Sequence, residues 1–194
     1  MGPELALLVL LSAFSFFGGG RTHSRRFPAP LLLVLSAVII FSLDGWLAFR
    51  QYQVWSMCGL TRFLLPDYHP GSNYFLFYSL TRIFAPHLIS LGLAIVFLLV
   101  LRGINNKHNR QFFEDEEPYL AATSLFLSGH PGWIFYLVFL VGFYLLWHLL
   151  SRLGRRGRSE RLPLYHLWAN AGVVTVLMAH FWLSHTSFWS LLKI

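Results

Sequence analysis

Of 194 residues, 56% are hydrophobic and only 12% are charged, about half the ~25% typical of a soluble domain. Too little charge is available to cover a water-facing surface, so the composition predicts an all-α, polytopic integral membrane bundle of five or six segments, with residues 1–194 as one helical membrane domain. The 15 Lys and Arg exceed the 8 Asp and Glu, but most Arg lies in short connections rather than in a basic stripe, which excludes nucleic acid as a partner. The expected partners are the lipid bilayer and other membrane proteins. With a lone Cys58 there is no intrachain disulfide, and no Cys/His pattern at zinc spacing appears, so no metal and no cofactor is expected.

A spanning helix needs ~20 apolar residues. The first apolar stretch, 5–17, ends at Gly18-Gly19-Gly20. Ala13-Phe14-Ser15 would pass as a cleavage site, but Glu4 stands where a signal peptide carries basic residues, so a short first span is the reading. Arg21–Arg26 holds three Arg, and Pro28 and Pro30 open a second span over 31–49 whose only charge is Asp44. Residues 50–84 mix Trp55, Leu60 and Phe63 with Arg50, Arg62 and Asp67, and Pro66, Pro70 and Gly71 mark turns. The expectation there is an interfacial helix and loop. The third span is 85–101.

Arg102–Glu117 is a polar loop ending in Glu114-Asp115-Glu116-Glu117, placed before Pro118 where a helix N-terminus favours negative charge. The apolar stretch 119–128 is only half a bilayer long and is broken by Gly129-His130-Pro131-Gly132. Spans over 133–150 and 164–183 follow, separated by Arg152–Arg161 with its five Arg. Positively charged connections stay in the cytoplasm. Arg21–Arg26, Arg102–Arg110 and Arg152–Arg161 all do so if 119–128 counts as a crossing, which suits a cell membrane of the bacterial inner-membrane type.

Three groups could carry chemistry. Asp44, an ionisable residue near the end of an apolar span, is either a functional site or an acid that is hydrated close to the interface or paired with Arg50. The run Glu114–Glu117 either couples its carboxylates or caps a helix. His166 and His180 share a helix face, and with His87 and His148 they leave a haem-b subunit as a minor alternative.

From Glu117-Pro118-Tyr119-Leu120-Ala121-Ala122 to Gly129, and at Arg161-Leu162-Pro163-Leu164, the chain resembles the type IV prepilin peptidases. These are membrane aspartic proteases with a Gly-x-Gly-Asp motif, whose two glycines are absent here. The resemblance implies Asp44 as the first catalytic acid and Asp115 or Glu117 as the second, together activating water. The alternative is a non-enzymatic scaffold, accessory subunit or small transport component.

Overall fold

The computed structural model describes residues 3, 6–10, 29–68, 73–108, 113–153, 164–187 and 189, and among them every regular element is helical. Five helices carry the fold: α1 (Ala29–Met57), α2 (Tyr74–Lys107), α3 (Glu117–Ser128), α4 (Gly132–Leu153) and α5 (Leu164–Phe181). Of these, α1, α2 and residues Gly132–Leu150 of α4 are long and apolar enough to cross a membrane.

The interfacial stretch expected over 50–84 is divided between two helices. α1 continues to Met57 because Arg50, Gln51 and Gln53 are good helix formers that need no apolar surroundings. A 3₁₀ turn at Thr61–Leu64 follows, and α2 begins at Tyr74, eleven residues before the expected start. Tyr74, Phe75 and Tyr78 are weak helix formers, but their rings pack on Trp55 of α1, with centroids 5.0–6.2 Å apart. Tertiary packing decides this segment, not propensity.

Within α2, Leu80–Phe84 forms a π-turn in which the Ala85 N–H donates to Leu80 O. Its cause is Pro86, which has no N–H and whose ring would strike the carbonyl of Arg82 in an unbroken α-helix. The wider turn gives the ring room.

The twelve-residue α3, ~18 Å long, is too short to span a bilayer. Pro118 stands at its start, and Gly129 at φ 68° ends it, its N–H donating to Phe126 O. Residues 120–128 are all buried, and Thr123 and Ser128 are accommodated there by donating their hydroxyls to Tyr119 O and Ser124 O. Leu120, Leu125 and Phe126 join Ile40, Ala94 and Trp168 in one core, so α3 is the post around which the others pack.

Cross-helix contacts fix the directions. Asp44 meets His87, and farther along α1 Trp55 meets Phe75, which lies earlier in α2, so α1 and α2 are antiparallel. Asn105 bonds Phe113 and Arg102 lies over Tyr119, so α3 returns along α2. The Tyr136 hydroxyl donates to Ala121 O at 3.4 Å, and Thr175 adjoins Gly132, so α4 and α5 reverse in turn. The helix ends leading towards all three arginine-bearing connections therefore lie at one end of the bundle. All of Arg21–Arg26, Arg152–Arg161 beyond residue 153, the first apolar stretch apart from residues 6–10, and Arg161-Leu162-Pro163 lie outside the described residues.

Outward faces stay apolar. Val34, Val38 and Leu47 of α1, Val96 and Leu99 of α2, and Val141 and Leu145 of α4 are all exposed. Soluble monomers rarely leave such continuous apolar surface uncovered.

Candidate functional site

An aliphatic helix such as α1 holds a carboxylate at its centre only against compensation, because a buried charge loses its hydration. The Asp44 side chain is 4% exposed, and His87 of α2 supplies the compensation: its Nδ1 lies 2.8 Å from Asp44 Oδ2. With the carboxylate ionised, the ring N–H donates. His87 is 19% exposed, so the pair has a sealed side at Asp44 and a more open one at the imidazole.

Both residues are set by helix register. Phe41, one turn before Asp44, touches Phe84 of α2 and Phe126 near the tip of α3, with centroids 6.5 and 6.4 Å apart. Asp44 therefore lies just past the C-terminal tip of α3, where the post ends and α1 and α2 continue as a two-helix hairpin. Arg50, the other partner considered for Asp44, places its guanidinium 5.4 Å from the Trp46 ring centroid, on an exposed face.

The acids of the second group are at the other end. Glu114 and Asp115 are exposed in the turn before α3, while Glu117 is buried in its first turn, where the helix dipole favours a carboxylate. The neighbouring Phe113 is held by Asn105, eighteen residues along α2 from His87, or about 27 Å of helix. The structure thus does not bring Asp44 together with Asp115 or Glu117. A shared proton needs like acids within about 6 Å.

The histidines also part company. His148 stacks on Tyr144, His180 lies edge-on to Phe181, and the His166 side chain is outside the described residues. No cluster of three or more His, Cys, Asp or Glu suited to a metal occurs among the described residues.

His87 as the partner of Asp44 was the residue that sequence reasoning missed. A signal was present: Asp44 lies 21 positions before Leu65, and His87 lies 21 positions after Pro66. In a helical hairpin turning at Leu65-Pro66, the two are level. An ion pair of this kind can take up a proton on the imidazole and hold it beside the carboxylate, which is the chemistry of a relay.

Comparison of the chain with family models, curated proteins and solved structures finds no match.

Proposed function

We propose that the chain is a multi-pass membrane protein with its basic connections in the cytoplasm, and that it is a small transport component whose Asp44–His87 pair handles protons. The observation that carries this reading is the 2.8 Å contact between two ionisable side chains inside two long apolar helices. An aspartate at a helix centre costs roughly 2.5–3.5 kcal/mol on insertion scales, and ionisable residues that persist within membrane spans mark ion or proton pathways. Asp44 keeps the imidazole oriented through Nδ1, so the ring takes up and releases its proton beside a fixed carboxylate. The separation of Asp44 from Glu117 weighs against the peptidase reading, which needs two acids around one water.

Protein reconstituted in vesicles loaded with a pH-sensitive dye tests the proposal. An acid pulse with potassium and valinomycin clamping the potential should acidify the lumen faster than in protein-free vesicles. Asp44→Asn and His87→Gln should remove the difference. If the intact protein acidifies no faster than empty vesicles, the proton-handling reading fails. The orientation is tested separately. With Cys58→Ser as background, a Ser159→Cys thiol should resist an impermeant reagent applied to intact cells.

A further inference from the structure

We infer that a hydrated passage runs between α1 and α2 from the end of the bundle opposite the basic connections to the Asp44–His87 pair, with Ser79 Oγ binding its water. The inference rests on the proton-handling reading and names the side from which the pair is reached.

Ser79 is 6% exposed, and its hydroxyl is buried without a hydrogen-bond partner. Most hydroxyls within these helices bond back to a carbonyl three or four residues earlier: Ser42 to Val38, Thr81 to Phe77, Ser90 to Pro86 and Thr123 to Tyr119. Ser79 does not take that option. A buried polar group left alone costs about 1–3 kcal/mol, and a water is the usual remedy.

Helix register places this hydroxyl on the line to His87. In an unbroken α-helix, eight positions turn ~800°, leaving Ser79 and His87 about 80° apart. The π-turn at Leu80–Phe84 adds one residue to one turn, which takes back roughly 100°. The two side chains therefore share one face of α2. Phe75, one turn before Ser79, packs on Tyr52 and Trp55 of α1, and His87 bonds Asp44, so that face is the one turned to α1.

The facing stripe of α1 is built to match. Asp44, Ala48, Gln51 and Trp55 lie within an arc of about 60° on a 3.6-residue helix. Between the carboxylate and the Gln51 amide stands Ala48, the smallest side chain of the four. Gln51 is half-buried and has polar atoms suited to a second water partner. Ser79 and Gln51 thus supply polar groups between the aromatic cluster around Trp55 and the pair, with a small residue where a bulky one would close the gap. Towards the basic end the α1 face closes with Phe41 against Phe126 of α3.

Thiol accessibility at two adjacent positions distinguishes a wet interface from lipid. Leu47 is 50% exposed on the outer face, at nearly the same depth as Ala48. Each is replaced in turn (Ala48→Cys, Leu47→Cys) with Cys58→Ser in the background, and vesicles receive a charged methanethiosulfonate on the side away from the basic connections. A Gln53→Cys variant, exposed near the end of α1, reports insertion and orientation in each preparation. The reagent attacks the thiolate, and hydrocarbon raises a thiol's pKa by a unit or more, so the Ala48→Cys thiol should react roughly tenfold faster or more. Adding Ser79→Val to Ala48→Cys should remove most of that advantage. Equal rates at the two positions, or modification of Ala48→Cys only from the basic side, overturn the passage. Selective labelling in a protein that moves no protons leaves the passage standing and removes the transport reading. Proton movement without selective labelling does the reverse.

Discussion

Asn105 grips the backbone of Phe113 at both ends: its amide nitrogen donates to Phe113 O at 2.9 Å, and its Oδ1 accepts the Phe113 N–H at 3.1 Å. The side chain is 4% exposed, so both bonds form away from water, where an unmade one is costly. This clamp fixes the chain four residues before α3 and thereby sets the level at which the central helix starts. Phe113 in turn packs on Trp168 of α5. One amide thus ties α2 to the start of α3, and Phe113 carries the tie to α5.

Asn105→Ala should lower stability by about 2–4 kcal/mol, since two buried backbone groups lose their partner. Asn105→Asp keeps one acceptor but turns a carboxylate oxygen towards Phe113 O in a buried site, so it should destabilise at least as much as Asn105→Ala. Denaturant unfolding in mixed micelles, followed by circular dichroism, ranks the three proteins. Equal stability of Asn105→Ala and the parent would show that the clamp contributes nothing.

The Asp44–His87 pair gives a different mutational pattern. Removing one partner breaks a largely buried ion pair, and Asp44→Ala should cost up to about 3–5 kcal/mol. Replacing both with leucine removes the need for compensation and should recover most of that loss, while abolishing any proton movement. Glu117→Gln should add to Asp44→Asn without coupling, because sites more than ~10 Å apart with no shared partner behave independently. A coupling above about 0.5 kcal/mol in that cycle would mean that the two acids communicate after all.

Composition and apolar runs led directly to the helices, because length and hydrophobicity are local properties. The cores of α1, α2 and α4 fall within the stretches 31–49, 85–101 and 133–150. What was not legible was how far the helices continue past their apolar cores. Arg50 to Met57 and Tyr74 to Phe84 carry no spanning signal of their own, and they are helical because Trp55 and Phe75 meet across the hairpin. That extension is also what makes Asp44 and His87 level, so the site was hidden for the same reason. The buried position of α3 was equally non-local. Its sequence marks a short apolar helix, and only the packing of α2 and α5 on both sides reveals a post rather than a span.

Two helical glycines should respond in opposite directions to alanine. Nothing lies within 4 Å of a Cβ added at Gly92, on the outer face of α2. Gly92→Ala should therefore stabilise by about 0.5–1 kcal/mol, the helix preference of alanine. At Gly172 of α5 an added Cβ would stand 2.8 Å from Leu8 Cδ2 and 3.3 Å from Ser124 Cβ. Gly172→Ala should cost about 1–3 kcal/mol of overpacking, partly offset by the same helix preference. Comparing both variants in one unfolding series removes any dependence on the detergent. A Gly172→Ala protein as stable as the parent would contradict the packing around α5, and a destabilised Gly92→Ala the open space on the outer face of α2.

Cys58 offers a test of the turn after α1. The thiol is exposed, and hydrogen bonds from the Thr61 backbone and then its side chain, followed by the Leu60 backbone, hold its pKa below the usual thiol value. Each of these bonds favours the thiolate, so lowering the pH protonates Cys58 later than it would an unassisted thiol. Only the thiolate reacts with iodoacetamide, and the rate against pH follows its population. In the parent protein that curve should rise at lower pH than the curve for a cysteine in a short unfolded peptide. Thr61→Val keeps the backbone contribution and removes the hydroxyl, which should move the curve part of the way back to higher pH. At neutral pH the parent should react faster than Thr61→Val, and above the ordinary thiol pKa the two rates should converge. A parent curve coincident with that of the unfolded peptide would mean that the Thr61 turn does not form as described. It would also undo the account of the end of α1, where the Cys58 N–H donates to Trp55 O at 3.3 Å and the Arg62 N–H to Cys58 O at 3.1 Å in the same turn.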